Sequence, residues 1–314
     1  SRSGKSTLAS RMIATALYLS DGDGFYDYQD VFIASVKAKD DYFPLKWEEK
    51  GMFITDNPIE TYKMLLKVYD IGQKRAEIFR ENGCVNIKQY NKKFKNNKMG
   101  KILLVMDEYR NTLDSAERMG KVEIDGNEIK NLSLEIEKIY TSINTLHGSR
   151  GVNTICITQK FAKSKGGLGM VADSLDSRFL GYAEADVWNT QDKTETISKY
   201  LKSKSEQRKG LFLINATAFQ QSNAEVEVDK IGGFVETRTH YIDTKEIADN
   251  FDSYFDTNKK YGDLIRDNFN NTDDDLEGII DKNESEQVLE VKENEEKVEE
   301  SKTIEDFDFD DFNL

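Results

Sequence analysis

Apolar residues near the start of the chain recur with a helical spacing, at Leu8, Met12, Ile13, Ala16 and Leu17, which is one side of a 3.6-residue period. The pattern then tightens. Asp30–Val36 holds Val31, Phe32 and Ile33 in succession and predicts a short strand. A long helix is predicted from Pro58 to about Asn82. Proline suits its first turn, Leu65, Leu66, Tyr69, Ile78 and Phe79 make much of its apolar face, and Gly83 stops it as a helix C-cap. Ile102–Met106 is an unbroken apolar run that ends in acids, the pattern of a strand buried on both faces. A second helix is predicted over Ser133–Leu146 and a buried strand over Asn153–Thr158, with Cys156 inside it. Arg178–Tyr182 and Gly210–Asn215 read as further strands. Strands alternating with helices predict an α/β fold with a mostly parallel sheet flanked by helices.

Beyond Tyr261 the pattern dissolves into Asp and Glu. The formal charge of −14 belongs to this segment: Gly262–Leu314 carries 20 acidic and 5 basic residues, and residues 1–261 hold 38 and 39. The division expected is therefore one domain over 1–256 and an acidic, disordered tail over 257–314. A near-neutral domain leaves room for a local basic surface that the whole-chain charge would seem to forbid. Cys84 and Cys156 have no spacing that suggests zinc or a disulfide. No apolar run reaches the 18 residues of a membrane span.

The chain opens on Ser1-Arg2-Ser3-Gly4-Lys5-Ser6-Thr7, which matches the end of G-x-x-x-x-G-K-[ST]. It has no initiating Met and begins inside this motif, so it reads as a piece of a longer protein. Backbone N–H groups around Ser3, Gly4, Lys5 and Ser6 would form an anion-binding nest at a helix start, with Thr7 following. Lys5 would reach the β- and γ-phosphates of ATP, and the Ser6 hydroxyl would ligate Mg2+. A second element, Ile102-Leu103-Leu104-Val105-Met106-Asp107-Glu108, ends a buried strand in adjacent carboxylates. Asp107 is the expected metal-side acid and Glu108 the expected general base for the attacking water. The third is Ile155-Cys156-Ile157-Thr158-Gln159, where Gln159 either senses the γ-phosphate by hydrogen bonding or starts a surface loop.

These motifs, in this order, resemble the ATPase domain of the FtsK/SpoIIIE family. The segment KRAEIFRENGCVNIKQYNKKF, Lys74–Phe94, is similar to that family's long helix, turn and N-x-x-x-Y-N stretch, which no nucleotide chemistry requires. SRGVNTICITQ, DSLDSRFLGYAEADVWNTQ, KGLFLIN and GGFVETRTHYIDTKEIADNF resemble later family segments, so the likeness covers about residues 1–256. Two departures stand out: Gln159-Lys160-Phe161 replaces a Gln-Arg-Pro, and Asp176-Ser177-Arg178 replaces a Pro-Thr-Arg. The tail does not look like the family's winged-helix domain, which favours a mobile-element relative, the TcpA-like coupling proteins of conjugation.

The resemblance implies a RecA-like P-loop motor that hydrolyses ATP and forms a ring, usually a hexamer of identical subunits, around double-stranded DNA. It implies Arg178, or else Arg150, as a charge donated across the subunit interface. Lys160, Lys163 and Lys165 lie among glycines and either track DNA phosphates or belong to a solvated loop. Phe307, Phe309, Phe312 and Leu314 interleave with aspartates at the tip. That pattern suits docking to a relaxosome or secretion-channel protein, against the plainer reading of a solubilising tail. Membrane attachment would come only through upstream segments, with this domain at the inner face of the membrane. The alternatives to conjugative transfer are partitioning of chromosome or plasmid DNA, and a type VII secretion-like ATPase acting on protein.

Overall fold

The computed structural model describes residues 5–18, 28–42, 47–50, 52–158, 168–175, 179–181, 196–204, 211–215 and 233–238. Helix α1 spans Lys5–Tyr18, strand β1 Tyr28–Ser35 and the short helix α2 Ala38–Asp41. Strand β2, Phe53–Thr55, precedes the long helix α3, Pro58–Glu81, and helix α4, Ile87–Lys93. Then come β3, Lys101–Asp107, α5, Tyr109–Arg118, and the pair β4, Val122–Ile124, and β5, Asn127–Ile129. Helix α6, Leu132–Leu146, leads to β6, Val152–Cys156. The last described elements are β7, Phe179–Gly181, α7, Thr196–Ser203, β8, Leu211–Asn215, and β9, Phe234–Arg238.

Four strands form a parallel sheet in the order β2-β1-β3-β6. In β3 every residue from Ile102 to Asp107 is buried, as its unbroken apolar run predicts. Side chains alternate across the sheet. Val31, Ile33, Leu103 and Val105 share one cluster with Ile13 of α1 and with Tyr42, Trp47 and Met52. Ile102, Leu104 and Met106 therefore point to the opposite face. Helices α3, α5 and α6 pack on one another. Register sets the geometry of the sheet's exit: Ser35 lies beside Asp107 and Met106 beside Cys156.

Two expectations need correction. The strands at 179–181 and 211–215 do not extend the parallel sheet among the described residues. With β9 they form a separate antiparallel sheet, β7-β8-β9, on which α7 packs Ile197 and Leu201. Cys156 is half-buried, not buried, because β6 is an edge strand of the four described.

Helix α3 ends as its sequence predicts. Asn57 caps its start by accepting from Ile59 N–H at 2.8 Å, and Pro58 occupies the first turn. At the far end Gly83 sits at φ 63°. Gly83 N–H donates to Arg80 O, and Cys84 N–H donates to Phe79 O at 2.7 Å, a glycine-terminated Schellman end. Its buried stripe differs from the predicted face. Met64, Leu65, Val68, Gly72, Arg75 and Phe79 are buried, whereas Leu66, Tyr69 and Ile78 are half-buried.

Gly72 and Arg75 explain the difference. Arg75 donates to Gly100 O at 2.8 Å and to Arg150 O at 3.0 Å, tying α3 to the entries of β3 and β6 at once. Burial pulls its guanidinium down to about 10, against the charge of Asp30. At Gly72, α3 passes close to His147, the C-cap of α6. A Cβ there would stand 2.6 Å from the His147 ring. Alanine at an exposed helical glycine gains about 1 kcal/mol, but here the same change overpacks a crossing. Gly72→Ala is expected to lose about 1–3 kcal/mol of unfolding free energy, measured by urea melts; a gain would mean that the helices do not meet there.

Candidate nucleotide site

The carboxyl ends of parallel strands β1 and β3 open onto one edge, and the predicted phosphate-binding and acidic motifs meet near it. Lys5 is the first residue of α1, whose first turn carries no acid, leaving its N–H groups and positive dipole end suited to an anion. Ser6 and Thr7 follow in that turn. The Lys5 ammonium lies below its usual value, chiefly through burial, against the charges of Glu108 and Asp107, with Lys37 adding to the lowering. Lys5 is thus close enough to feel both carboxylates that end β3.

Asp107 is buried, and each carboxylate oxygen accepts a hydrogen bond: Oδ1 from Glu108 N–H at 2.8 Å and Oδ2 from the Tyr42 hydroxyl at 2.9 Å. Burial still raises it above the ordinary carboxylate range; those two bonds oppose the shift, and Glu108 and Asp41 add to it. Tyr42 is fully buried, its ring 6.1 Å from that of Trp47, so its hydroxyl is a fixed donor.

Glu108 stands in the left-handed region, at φ 49° and ψ 42°, a conformation that costs a non-glycine residue about 1–3 kcal/mol. The surrounding backbone holds it there. Ile157 N–H donates to Met106 O and Ile157 O accepts from Tyr109 N–H, both at 2.9 Å. The turned chain presents the Glu108 carboxylate to Lys37, whose Nζ donates to Oε1 at 3.2 Å, and to Asn111, whose Nδ2 donates to Oε2 at 3.0 Å. Lys37, Tyr42 and Asn111 carry no motif, so sequence reasoning missed them. Their one signal is position, just after a strand that pairs with the acidic one or one helical turn beyond Glu108.

The donor set fits ATP and Mg2+. Asp107 retains an unused lone pair on each oxygen toward a hard cation that keeps most of its waters, and a dication would relieve its buried charge. A phosphate would do the same for Lys5. Among the described residues no group of three His, Cys, Asp or Glu side chains could hold a metal alone. Ser3, Gly4, Gln159, Lys160, Lys163, Lys165, Arg178 and the tail lie outside the described residues. Thr158, the neighbour of Gln159, is buried and follows the Ile157 bridge. Arg150 precedes β6, at the end of the sheet away from the carboxylates. Its Nη1 donates to Gly72 O, Gln73 Oε1 and His147 Nδ1, at 3.2, 2.9 and 3.0 Å.

Asp107 carries a testable cost. Because its folded value is raised, the folded state binds the proton more tightly than the unfolded one, and stability is gained as pH falls through that raised value toward the ordinary carboxylate value. Asp107→Asn removes the buried charge. It is expected to raise the thermal midpoint of the nucleotide-free protein at pH 7 by about 2–4 °C, the worth of ~1 kcal/mol in a domain of this size, and to abolish the gain on mild acidification. A lower midpoint by scanning calorimetry would contradict the assignment.

No family model and no curated protein matches the chain. Solved structures do. The conjugation coupling protein TcpA of pCW3, in its monomer form with ATPγS, is 19% identical over 80% of this chain, with a TM-score of 0.55. EssC, ATPases 2 and 3, from Geobacillus thermodenitrificans is 16% identical over 80% of it, with a TM-score of 0.50. The chain spans 61% of the first structure and 41% of the second. The fold is therefore one shared with TcpA and with ATPases 2 and 3 of EssC, in keeping with the mostly parallel α/β sheet that the sequence predicts.

Proposed function

We propose that this chain is the motor domain of an ATP-driven translocase of double-stranded DNA, acting in conjugative transfer as a ring of identical subunits. One observation carries the reading: a lysine at a helix N-terminus shares the sheet's exit edge with Asp107 and Glu108. Lys5 binds the phosphates of ATP, with Ser6 and Asp107 on the Mg2+ side. Bound Mg2+ would neutralise charge on the phosphates. Glu108 accepts the proton of the attacking water, Gln159 reports the γ-phosphate, and Arg178 of an adjacent subunit completes the charge balance. Likeness to a conjugation coupling protein supports DNA as the cargo, and Lys160, Lys163 and Lys165 supply the phosphate-tracking cations. Among the described residues no helix is long and apolar enough to cross a membrane; attachment to its inner face belongs to other segments of the full-length protein. A second reading, in which the cargo is a protein, draws on the likeness to EssC.

Turnover of ATP by the full-length protein decides between them. Duplex DNA is expected to raise the rate, with an effect that fades steeply with salt and varies little with base sequence. Neutralising Lys160, Lys163 and Lys165 together should remove that stimulation and leave the basal rate. Lys5→Ala should abolish nucleotide binding in calorimetric titration. A rate indifferent to DNA but raised by a secreted polypeptide would support the second reading.

A further inference from the structure

We propose that Lys37 and Asn111 are positioning residues for ATP hydrolysis, gripping the Glu108 carboxylate from two rigid elements so that it faces the attacking water. The proposal rests on the hydrolytic reading above. Glu108 is the one residue of the β3 exit whose task depends on direction: a general base must lie within hydrogen-bond reach of the proton it takes. Its backbone is already turned into the left-handed region. Its side chain is then held at both ends, by Lys37 Nζ on Oε1 at 3.2 Å and Asn111 Nδ2 on Oε2 at 3.0 Å.

Both donors stand on fixed backbone. Lys37 follows β1, where Ser35 lies in register beside Asp107, so the turn is delivered to the carboxylates by strand pairing. Lys37 N–H donates to Ser35 Oγ at 3.1 Å, and Lys37 O accepts from the N–H groups of Asp40 and Asp41 at 3.0 Å each. Asn111 stands three residues beyond Glu108, on the first turn of the helix that Glu108 precedes, which brings its amide to the Glu108 carboxylate. The grip therefore joins the ends of two elements that the buried sheet already fixes. Lys37 also counters the repulsion between the adjacent carboxylates of Asp107 and Glu108, drawing Glu108 to itself and Asn111 while Asp107 stays against Tyr42.

The ion pair is not there for stability. The Lys37 side chain is 44% exposed, and pairs with an exposed partner contribute little to folding. Nor is Lys37 placed as a substitute for Lys5, which already heads the anion-binding helix.

The test is steady-state ATP turnover by the full-length protein and its Lys37→Met and Asn111→Ala variants, with thermal midpoints recorded alongside. Lys37→Met is expected to lower kcat by roughly tenfold to a hundredfold, the cost of a misplaced catalytic group. KM for ATP should stay within about twofold, since binding is not touched. Asn111→Ala should lower kcat by a smaller factor with the same unchanged KM. Midpoints should move by less than about 2 °C. An unchanged or raised kcat in Lys37→Met overturns the proposal, and so does a loss that lies wholly in KM, which would make Lys37 a phosphate ligand. Absence of turnover in the parent protein would overturn the hydrolytic reading itself; turnover in the parent with unaffected variants overturns the positioning role alone.

Discussion

Strand β3 is enclosed on both faces and paired on both sides, and the arrangement of the site follows from that enclosure. A strand in this position has no polar outlet along its length, so the first place where charge is tolerable is its exit. There the chain places two carboxylates in succession. The inner one, Asp107, stays in the protein and depends on a tyrosine hydroxyl and a backbone N–H. The next one, Glu108, is buried as well and turns its backbone into an unfavourable region to reach Lys37 and Asn111. Neighbouring strands supply what the exit needs: β1 delivers Lys37 by register, and the segment after β6 braces the turn through both polar groups of Ile157.

The charges at this edge are mutually incomplete. A half-buried lysine is held below its normal value, and a buried aspartate above its own. Each is poorly served by the protein alone, and each would be relieved by the opposite charge of a metal-bound nucleotide. A ligand that binds only the folded state stabilises it by mass action. The same electrostatic shortfall that weakens the empty domain thus favours the occupied one. The expense is met at the other end of the sheet, where Arg75 links the entries of β3 and β6 and where α3 and α6 cross at a glycine.

Much of this was legible in the sequence, for physical reasons that differ by element. The run Ile102–Met106 announced its burial because no polar residue interrupts it. Pro58 and Gly83 marked the two ends of α3 because each suits one conformation there, whereas its cap, Asn57, was not singled out. Gly72 and Arg75 were invisible: one has no side chain to count as apolar, and the other is charged and buried only because two backbone carbonyls receive it. Asp125-Gly126 carried a hairpin signal, and both residues do sit at positive φ between β4 and β5, yet no flanking alternation drew attention to it. The antiparallel order of β7, β8 and β9 could not be read, because short strands with long connections do not disclose direction. At the site, Lys5, Asp107 and Glu108 were found because phosphate chemistry demands those types at that spacing. Lys37, Tyr42 and Asn111 act through other residues, and their types are common everywhere.

As proposed, the exit of β3 is a hydrolytic centre whose base is Glu108, separate from the groups that hold the nucleotide. Glu108→Gln keeps the size and removes the basicity of that one side chain. ATP affinity and single-turnover hydrolysis, measured on the same preparation of the full-length protein, test that role of Glu108. Binding is expected to stay within about threefold of the parent while hydrolysis slows by about a hundredfold or more, the usual worth of a positioned base; hydrolysis at the parental rate would place the base elsewhere.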